Sequence, residues 1–194
     1  MTQVQEKKYY TLEEYFELES KSDEKHEFYK GEIFAMSGGS FNHNLIASNI
    51  LGEFRNLLKG KPCIVLGSDL KVQVKENGLY TYPDVSVICG EPEFVEERND
   101  TVKNPLLIVE VLSESTADYD KGGKFTLYRD IDSLRHYILV EQKEARVEYF
   151  YKNEKEHWEL VEFRNVSETL KIENLNIEIP LDEIYQKITF EEKN

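Results

Sequence analysis

The hydrophobic and polar positions of this chain follow a helical period in some segments and a strand period in others. The helical period is clearest over residues 42–58, which predicts the longest amphipathic helix of the chain. A capping box predicts a short helix over residues 11–20. Between the two, residues 27–29 and 32–36 flank Lys30-Gly31, so a β-hairpin is predicted to separate the two helices.

The strand period dominates the next part of the chain. Residues 63–74 and the single strand predicted over 80–89 form a meander around the turn Asn77-Gly78. Residues 90–104 show little periodicity and are predicted to form an exposed loop. The nearly continuous apolar run 106–112 predicts a strand that is buried on both faces at the centre of a sheet.

The last part of the chain predicts a crossover followed by hairpins. A helix over 120–130 and a strand over 136–140 follow the central strand, and this order favours parallel pairing of the two strands. Three further strands are predicted as hairpin additions, over residues 146–151, 158–163 and 177–179. A short helix predicted over 181–186 follows them. The predicted fold is α/β, a single domain over 1–194, with a mixed central sheet that carries the long helix on one face and the 120–130 helix on the other.

Composition and charge narrow the class of protein. A chain of 194 residues, 40% of them hydrophobic, suits one globular domain. A net charge of −14 excludes a protein that coats nucleic acid through bulk positive charge, so contact with DNA is expected to be local or metal-assisted. Because no apolar run is long enough for a membrane span and the N-terminus is polar, we expect a cytoplasmic protein with no membrane partner.

The two cysteines, Cys63 and Cys89, lie inside apolar runs. The chain has no CxxC pair, and no histidines cluster beside either cysteine. This pattern argues against a disulfide scaffold and against a structural zinc site. It predicts two buried thiols.

Two carboxylates interrupt segments that otherwise suit a hydrophobic core. Glu110 lies in the middle of the apolar run 106–112, where an ionised carboxylate costs several kcal/mol unless it is paired or binds a cation. Asp84 interrupts the apolar run 82–88 in the same way. If the two strands are neighbours and both carboxylates share a face, their oxygens converge on one hard divalent cation, and the backbone carbonyl of Val111 adds a third ligand. The predicted cofactor is Mg²⁺ or Mn²⁺.

A lysine would complete such a site, because an ammonium group orients a water molecule and stabilises charge that develops on a phosphate. The strand itself has Leu112 two residues after Glu110. On the following predicted helix, three residues recur every four positions on one face: Asp120, Lys124 and Tyr128. Lys124 is therefore the first candidate, and Lys121 is the second.

As an ordered set, these residues resemble the signature of the bacterial Uma2-type family of restriction-endonuclease-like proteins, a former domain of unknown function in the PD-(D/E)xK nuclease superfamily. The resemblance covers about residues 10–185. It rests on Glu27 with Gly31-Glu32, His43, Pro83-Asp84-Val85, Val109-Glu110-Val111-Leu112-Ser113, Ser115-Thr116, Asp120, Lys124 and Tyr128. Leu112 departs from the superfamily pattern, which has a lysine at that place.

The resemblance implies a restriction-endonuclease-like core and a Mg²⁺-dependent endonuclease that hydrolyses DNA. Asp84 and Glu110 would be metal ligands, and Glu27 would be a further ligand, directly or through water. Lys124 would assist the attacking water. Similar enzymes commonly dimerise, so a homodimer is expected.

Each candidate also has a structural explanation. Glu110 is alternatively a buried ion-pair partner of Lys124 with no metal. The other candidates are alternatively helix caps, packing residues or an edge-strand charge: His43, Glu27, Asp120 and Tyr128. Two other functions therefore stay open, a catalytically inactive binding or assembly module with the nuclease fold, and a hydrolase of smaller phosphate esters.

Overall fold

The computed structural model describes residues 8–75, 78–113, 117 and 119–190. The helical elements are α1 (Leu12–Lys21), α2 (Phe41–Leu57), a π-helical segment (Tyr119–Lys124) that runs directly into α3 (Phe125–Tyr128), a 3₁₀ turn (Glu173–Leu175) and α4 (Leu181–Ile184). The strands are β1 (His26–Tyr29), β2 (Glu32–Ala35), β3 (Cys63–Gly67), β4 (Lys71–Val74), β5 (Leu79–Thr81), β6 (Val85–Cys89), β7 (Thr101–Val102), β8 (Leu107–Leu112), β9 (His136–Glu141), β10 (Val147–Lys152), β11 (Trp158–Phe163), β12 (Thr169–Ile172) and β13 (Ile177–Pro180).

The larger sheet is mixed and has the strand order β11-β10-β9-β8-β6-β3. Its neighbours β8 and β9 run parallel, and the helical segment between them makes the crossover. Its other neighbouring pairs are antiparallel. The predicted strand, helix, strand unit with parallel pairing is therefore confirmed.

The predicted meander is correct for β4 and β5, which are consecutive strands that pair antiparallel, but wrong for β3 and β6. β3 pairs with β6 in the larger sheet, whereas β4 pairs with β5 in a smaller sheet of order β2-β1-β5-β4-β7. The single strand predicted over 80–89 is divided at Pro83-Asp84, so that β5 and β6 belong to different sheets. Proline cannot donate a ladder hydrogen bond, which explains why the chain leaves one sheet at this point and enters the other. Of the predicted turn Asn77-Gly78, Asn77 lies outside the described residues.

Two further predictions about the sheets need correction. The predicted loop 90–104 contains β7, which pairs parallel with β4. The C-terminal hairpin β10–β11 extends the larger sheet as predicted, but β12 and β13 form a separate two-stranded sheet. Four residues of that sheet, Leu170, Ile172, Ile177 and Ile179, pack into the same hydrophobic core cluster as α2.

The two faces of the larger sheet carry different helices, as predicted. Ile46, Ile50 and Phe54 of α2 pack with alternate residues of the central strand, Leu107, Val109 and Val111. The intervening residues Ile108 and Leu112 pack with Tyr128 of α3 in a second cluster. The side-chain period of two in β8 therefore separates the two cores. None of the helices in the described part of the chain is both long and apolar enough to cross a membrane.

Cys63 and Cys89 are joined by a disulfide, so the prediction of two buried thiols is wrong. The two residues lie directly opposite each other in the register of β3 and β6, and their Cα atoms are 4.0 Å apart. Both side chains are half-buried. The bond depends on the pairing of two strands that are far apart in sequence, and no local pattern around either cysteine records that pairing.

Candidate active site

The pairing of β6 with β8 brings Asp84 and Glu110 to one end of the larger sheet. Val85 lies opposite Val109 in the register, and Asp84 directly precedes Val85. The backbone N–H of Val111 donates a hydrogen bond of 2.8 Å to Oδ2 of Asp84. Asp84 and Glu110 both line a single cavity of about 870 Å³. The two strands that carry the predicted carboxylates are therefore neighbours.

Lys124 lies among three carboxylates of this cavity. Its Nζ is 3.0 Å from Oε1 of Glu110 and 3.0 Å from Oε1 of Glu27. It is also 3.5 Å from Oδ1 of Asp120, one turn earlier in the π-helical segment. All four residues are buried. The helix after β8 thus brings an ammonium group to Glu110, although the strand itself has a leucine two residues after the glutamate.

Glu27 connects the two sheets. It lies on β1 of the smaller sheet and accepts a hydrogen bond of 2.5 Å from Oγ1 of Thr81 on β5. The same oxygen, Oε1, contacts Lys124, which in turn contacts Glu110 on the larger sheet. An isolated buried carboxylate would be costly, and Glu27 avoids that cost through these two contacts.

Two buried tyrosines hold the acidic residues in place. The hydroxyl of Tyr128 donates a hydrogen bond of 2.8 Å to Oε1 of Glu110. The hydroxyl of Tyr137 on β9 donates to the backbone carbonyl of Asp120 at 3.0 Å. Tyr128 therefore packs in the core, as its alternative explanation proposed, and also contacts the central carboxylate.

The charges of this cluster do not balance. Burial raises the pKa of Glu110 to about 8, and Asp120 and Asp84 act in the same direction against the lowering effect of Lys124. Burial opposes the charge of Lys124, but Glu110, Glu27 and Asp120 together hold its pKa well above the usual value. The lysine therefore stays charged, while several carboxylates compete for one cation. Without a metal ion, Glu110 therefore keeps a proton near neutral pH, and a divalent cation bound to this carboxylate would replace that proton.

His43 lies on the other side of Asp84. Its Nε2 is 3.3 Å from Oδ2 of Asp84, and its backbone N–H donates to Ser40, the N-cap of α2. Burial lowers the pKa of His43, but the contacts with Asp84 and with the backbone of Val111 outweigh this effect and raise it. A Cβ atom on Gly39 would lie only 2.5 Å from Nδ1 of the ring, so the loop before α2 can pack against His43 because Gly39 has no side chain.

The remaining predicted residues fall in different places. Lys121, the second lysine candidate, has its Nζ 3.4 Å from Oε1 of Glu148 on β10. Leu112 is buried in the cluster beneath α3. Ser115-Thr116, part of the resemblance, lies outside the described residues.

Several cavity residues were not identified from the sequence. Phe34 and Tyr119 line the cavity, as do Gln142 and Lys143 after β9. Neither a lone aromatic residue in a hairpin nor a polar residue after a strand carries a chemical signal in one sequence. The glycine pair before the long helix, Gly38-Gly39, is a signal that could have indicated a close approach of the backbone to another group.

The donor set suits a hard divalent cation. In the part of the chain that the structure describes, no three acidic, histidine or cysteine side chains form a group that could hold a metal ion by themselves. Mg²⁺ usually takes one or two carboxylates and keeps several water molecules, so it does not need such a cage. Asp84, Glu110 and the carbonyl of Val111 provide oxygen donors of this kind beside one cavity.

Comparison with known proteins identifies the family. The model of the Uma2 family, described as "Putative restriction endonuclease", matches residues 12–182. This chain belongs to the Uma2 family. Two relatives of this Uma2 protein come from Synechocystis sp. (strain ATCC 27184 / PCC 6803 / Kazusa) and are named uncharacterized protein slr1290 and uncharacterized protein sll1609. The first is 37% identical over 92% of each chain. The second is 39% identical over 78% of this chain and 86% of its own length.

The fold of the Uma2 chain is also found in a solved structure. The crystal structure of "a putative nuclease belonging to DUF820" from Anabaena variabilis ATCC 29413 matches with a TM-score of 0.76, over 92% of this chain and 99% of the other. Because the two sequences are only 16% identical, this likeness shows the fold. The predicted nuclease-like α/β fold with a mixed sheet and flanking helices is confirmed.

Proposed function

We propose that this protein is a Mg²⁺- or Mn²⁺-dependent endonuclease that hydrolyses phosphodiester bonds in DNA. One observation supports this function above all others: Asp84 and Glu110 lie on neighbouring segments beside one cavity, with the ammonium group of Lys124 in contact with Glu110. This is the combination of two carboxylates and a lysine that the family resemblance implies. A homodimer and a cytoplasmic location stay predictions from the sequence.

The metal would be held by Asp84, Glu110 and the backbone carbonyl of Val111, with Glu27 as a further ligand, directly or through water. When bound, the cation would polarise the phosphoryl group and lower the pKa of a water molecule. The chain supplies the orientation of these donors. The N–H of Val111 fixes one oxygen of Asp84, and the hydroxyl of Tyr128 fixes one oxygen of Glu110.

Lys124 would hold the attacking water and stabilise the charge that develops on the phosphate. Its own charge is secured because Glu27 and Asp120 contact the same ammonium group. Ion pairs with several carboxylates restrict the ammonium group to one position, so its place relative to Glu110 is fixed before substrate binds.

The same cluster supports one other function. A lysine in contact with three buried carboxylates is equally consistent with a structural ion-pair network. The net charge of −14 is also unfavourable for binding DNA. A catalytically inactive binding or assembly module with the nuclease fold is therefore the second candidate. It predicts a stable protein without turnover.

A nicking assay separates the two functions. Supercoiled plasmid and circular single-stranded DNA are each incubated with wild type and with Asp84→Asn, in Mg²⁺, in Mn²⁺ and in EDTA. We expect nicking by wild type in the two metals and none in EDTA, and a loss of about 100-fold or more in Asp84→Asn, because the variant removes a metal-binding charge. The matched control is Asp100→Asn, whose carboxylate pairs with Arg98 on the surface.

Three outcomes would contradict the proposal. Nicking that survives in Asp84→Asn would mean that the site is elsewhere or that a contaminant is active. No cleavage of plasmid or of single-stranded DNA by folded wild type in either metal would favour the inactive module. Hydrolysis of bis(4-nitrophenyl) phosphate without cleavage of DNA would instead indicate an enzyme for smaller phosphate esters.

A further inference from the structure

Two partly exposed aromatic rings, those of Phe34 and Tyr119, line the cavity and do not pack in a hydrophobic core cluster of the described residues. Phe34 is 46% exposed and Tyr119 is 39% exposed. The rings come from different elements, β2 and the start of the π-helical segment. Among the described residues, neither ring belongs to a hydrophobic core cluster, in contrast to Tyr128 and Tyr137 beneath the same site. Single exposed apolar residues are common on protein surfaces, so exposure alone does not indicate a binding site.

Both rings lie next to the acidic centre. Phe34 is the direct cross-strand partner of Glu27 in the β1–β2 hairpin, so the two side chains emerge on the same face. Tyr119 opens the segment that carries Asp120 and Lys124. Burial raises the pKa of its hydroxyl to about 12, with a further contribution from Glu27, which places this hydroxyl within electrostatic range of the same centre.

The position of Tyr119 is built into the backbone. A Cβ atom on Gly123 would lie 2.6 Å from Cδ2 of the Tyr119 ring. The ring can therefore pack against the backbone four residues later because residue 123 has no side chain. This contact fixes one face of the ring, and a fixed ring loses little entropy when a second flat group stacks on it.

The charges of the cavity disfavour a substrate that is held through its phosphates. Among the described residues, four carboxylates line the cavity, Glu27, Asp84, Glu110 and Asp120, against His43 and two lysines, Lys124 and Lys143. Lys124 is already in contact with three of these carboxylates. Proteins that follow a DNA duplex do so through many contacts of Lys and Arg with phosphates. A single strand brings one phosphate per nucleotide to the cavity, half the charge of the duplex, and stacking of its bases on aromatic rings contributes to binding in addition to any phosphate contacts.

We infer that the cavity accepts a DNA strand with unpaired bases, and that Phe34 and Tyr119 stack on the bases beside the bond to be cleaved. The inference rests on the proposed function, since it names the substrate class of the same site. In an intact duplex both faces of a base are covered by its neighbours, so only an unstacked base is available to a side chain. The preferred DNA is therefore a single strand, a flap or an unpaired loop.

Binding to defined oligonucleotides tests this inference. The probes are a fluorescein-labelled single strand, the same strand in a duplex, and the same strand with abasic positions. Affinity is measured by fluorescence anisotropy, with Ca²⁺ in place of Mg²⁺ so that hydrolysis does not consume the probe. The proteins are wild type, Phe34→Ala, Tyr119→Ala and the control Phe94→Ala, which removes a ring that is 44% exposed in the loop before β7.

We expect wild type to bind the single strand about 10-fold or more tightly than the duplex or the abasic strand, because stacking acts only on accessible bases. Phe34→Ala and Tyr119→Ala should each weaken binding of the single strand by about 5- to 100-fold. Phe94→Ala should leave it unchanged. Phe34→Leu keeps the apolar bulk but loses the flat ring, so it should behave like Phe34→Ala. Gly123→Ala should weaken binding by displacing the Tyr119 ring.

Failure of this inference is distinguishable from failure of the proposed hydrolysis. Equal affinity for single strand and duplex, or equal losses in Phe34→Ala and Phe94→Ala, would overturn the inference even if the plasmid is nicked. No binding of any probe by protein with a normal thermal unfolding transition would also overturn it. Base-dependent binding of the single strand without metal-dependent cleavage would support the inference and contradict the hydrolysis.

Discussion

Two buried lysines of this protein lie in opposite surroundings. Lys124 has three carboxylates within 3.5 Å of its Nζ. Lys71 is only 2% exposed, and its Nζ is 3.4 Å from Oε2 of Glu19. Its Nζ also lies 4.8 Å from the ring centroid of Tyr15 and 5.2 Å from that of Tyr82, and the ion pair of Asp100 with Arg98 is near enough to affect its pKa in both directions. The two ammonium groups are about equally hidden from water.

The pKa values of the two lysines shift in opposite directions. Burial lowers the pKa of Lys71, and Glu19 does not compensate for this. Burial also opposes the charge of Lys124, but its carboxylates outweigh the effect and raise the pKa. Burial alone therefore does not decide the charge of a lysine, because the number of contacting carboxylates decides it. At Lys124 three carboxyl groups share one ammonium group, so Glu110 needs a further partner, which is either a proton or a metal ion.

The largest expected effect on stability separates these two sites directly. Lys124→Met leaves three buried carboxylates without their cation, so we expect a loss of about 3–5 kcal/mol in the free energy of unfolding. Lys71→Met leaves Glu19 with His26 and Tyr82 as partners and should cost only about 1 kcal/mol. Urea unfolding at pH 7 in EDTA measures both values. Equal losses would show that the Lys124 cluster is not held together by its lysine.

Catalysis should distinguish the lysines as well. We expect Lys124→Met to lower kcat for plasmid nicking by about 100- to 1000-fold, the usual effect of removing one group that stabilises transition-state charge. Lys121→Met should have little effect, since Lys121 contacts Glu148 on β10. Single-turnover nicking rates in Mg²⁺ provide the test. A larger loss in Lys121→Met than in Lys124→Met would indicate that Lys121, the second candidate in the sequence analysis, is the lysine of the site.

The parts of the site that were predicted carry local signals. A carboxylate in the middle of an apolar strand is visible in one sequence, and it led to Glu110. The four-residue spacing of Asp120, Lys124 and Tyr128 placed the lysine on the face that contacts β8, because π-helical and α-helical turns keep residues at this spacing close together. Glu27 carried no such signal by itself and depended on the family resemblance.

The parts that were missed depend on pairing between distant segments. Within the predicted meander over residues 63–89, the β4–β5 pair was correct, but the placement of β3 and β6 was wrong because alternation indicates strands and not their partners. The disulfide between Cys63 and Cys89 follows from the same non-local pairing of β3 with β6. Phe34 and Tyr119 meet at one cavity only after two sheets and a helix are assembled, so no periodicity in the sequence indicates them.

The excess of negative charge around Lys124 makes a further prediction. Because burial raises the pKa of Glu110 to about 8, the folded state keeps a proton that the unfolded state releases near pH 4.5. Stability of wild type in EDTA should therefore fall as the pH rises from about 4.5 to 8. Glu110→Gln removes this dependence and should be more stable than wild type at high pH, with loss of nicking.

The matched variant for this prediction is Glu19→Gln beside Lys71. It removes the carboxylate that contacts Lys71 and Tyr82, so it should destabilise the protein at every pH. Urea unfolding between about pH 5 and pH 9 compares both variants with wild type. A Glu110→Gln protein that is less stable than wild type over the whole range would mean that the ion pair with Lys124 stabilises the fold more than burial of the carboxylate costs.

The smallest expected effect is a change of stability with pH in alkaline solution. The contributions of the two lysines to the free energy of unfolding should change with pH in opposite directions. The folded pKa of Lys124 is raised, so its contribution to stability is complete below the unfolded value of about 10.4 and is lost as the pH rises above it. The folded pKa of Lys71 is lowered, so stability increases as the pH rises through that pKa towards about 10.4. The difference in unfolding free energy between wild type and Lys124→Met should therefore shrink as the pH rises above about 10.4. The difference between wild type and Lys71→Met should instead grow as the pH rises towards about 10.4. Slopes of the same sign would mean that the two lysines experience the same balance of burial and charge.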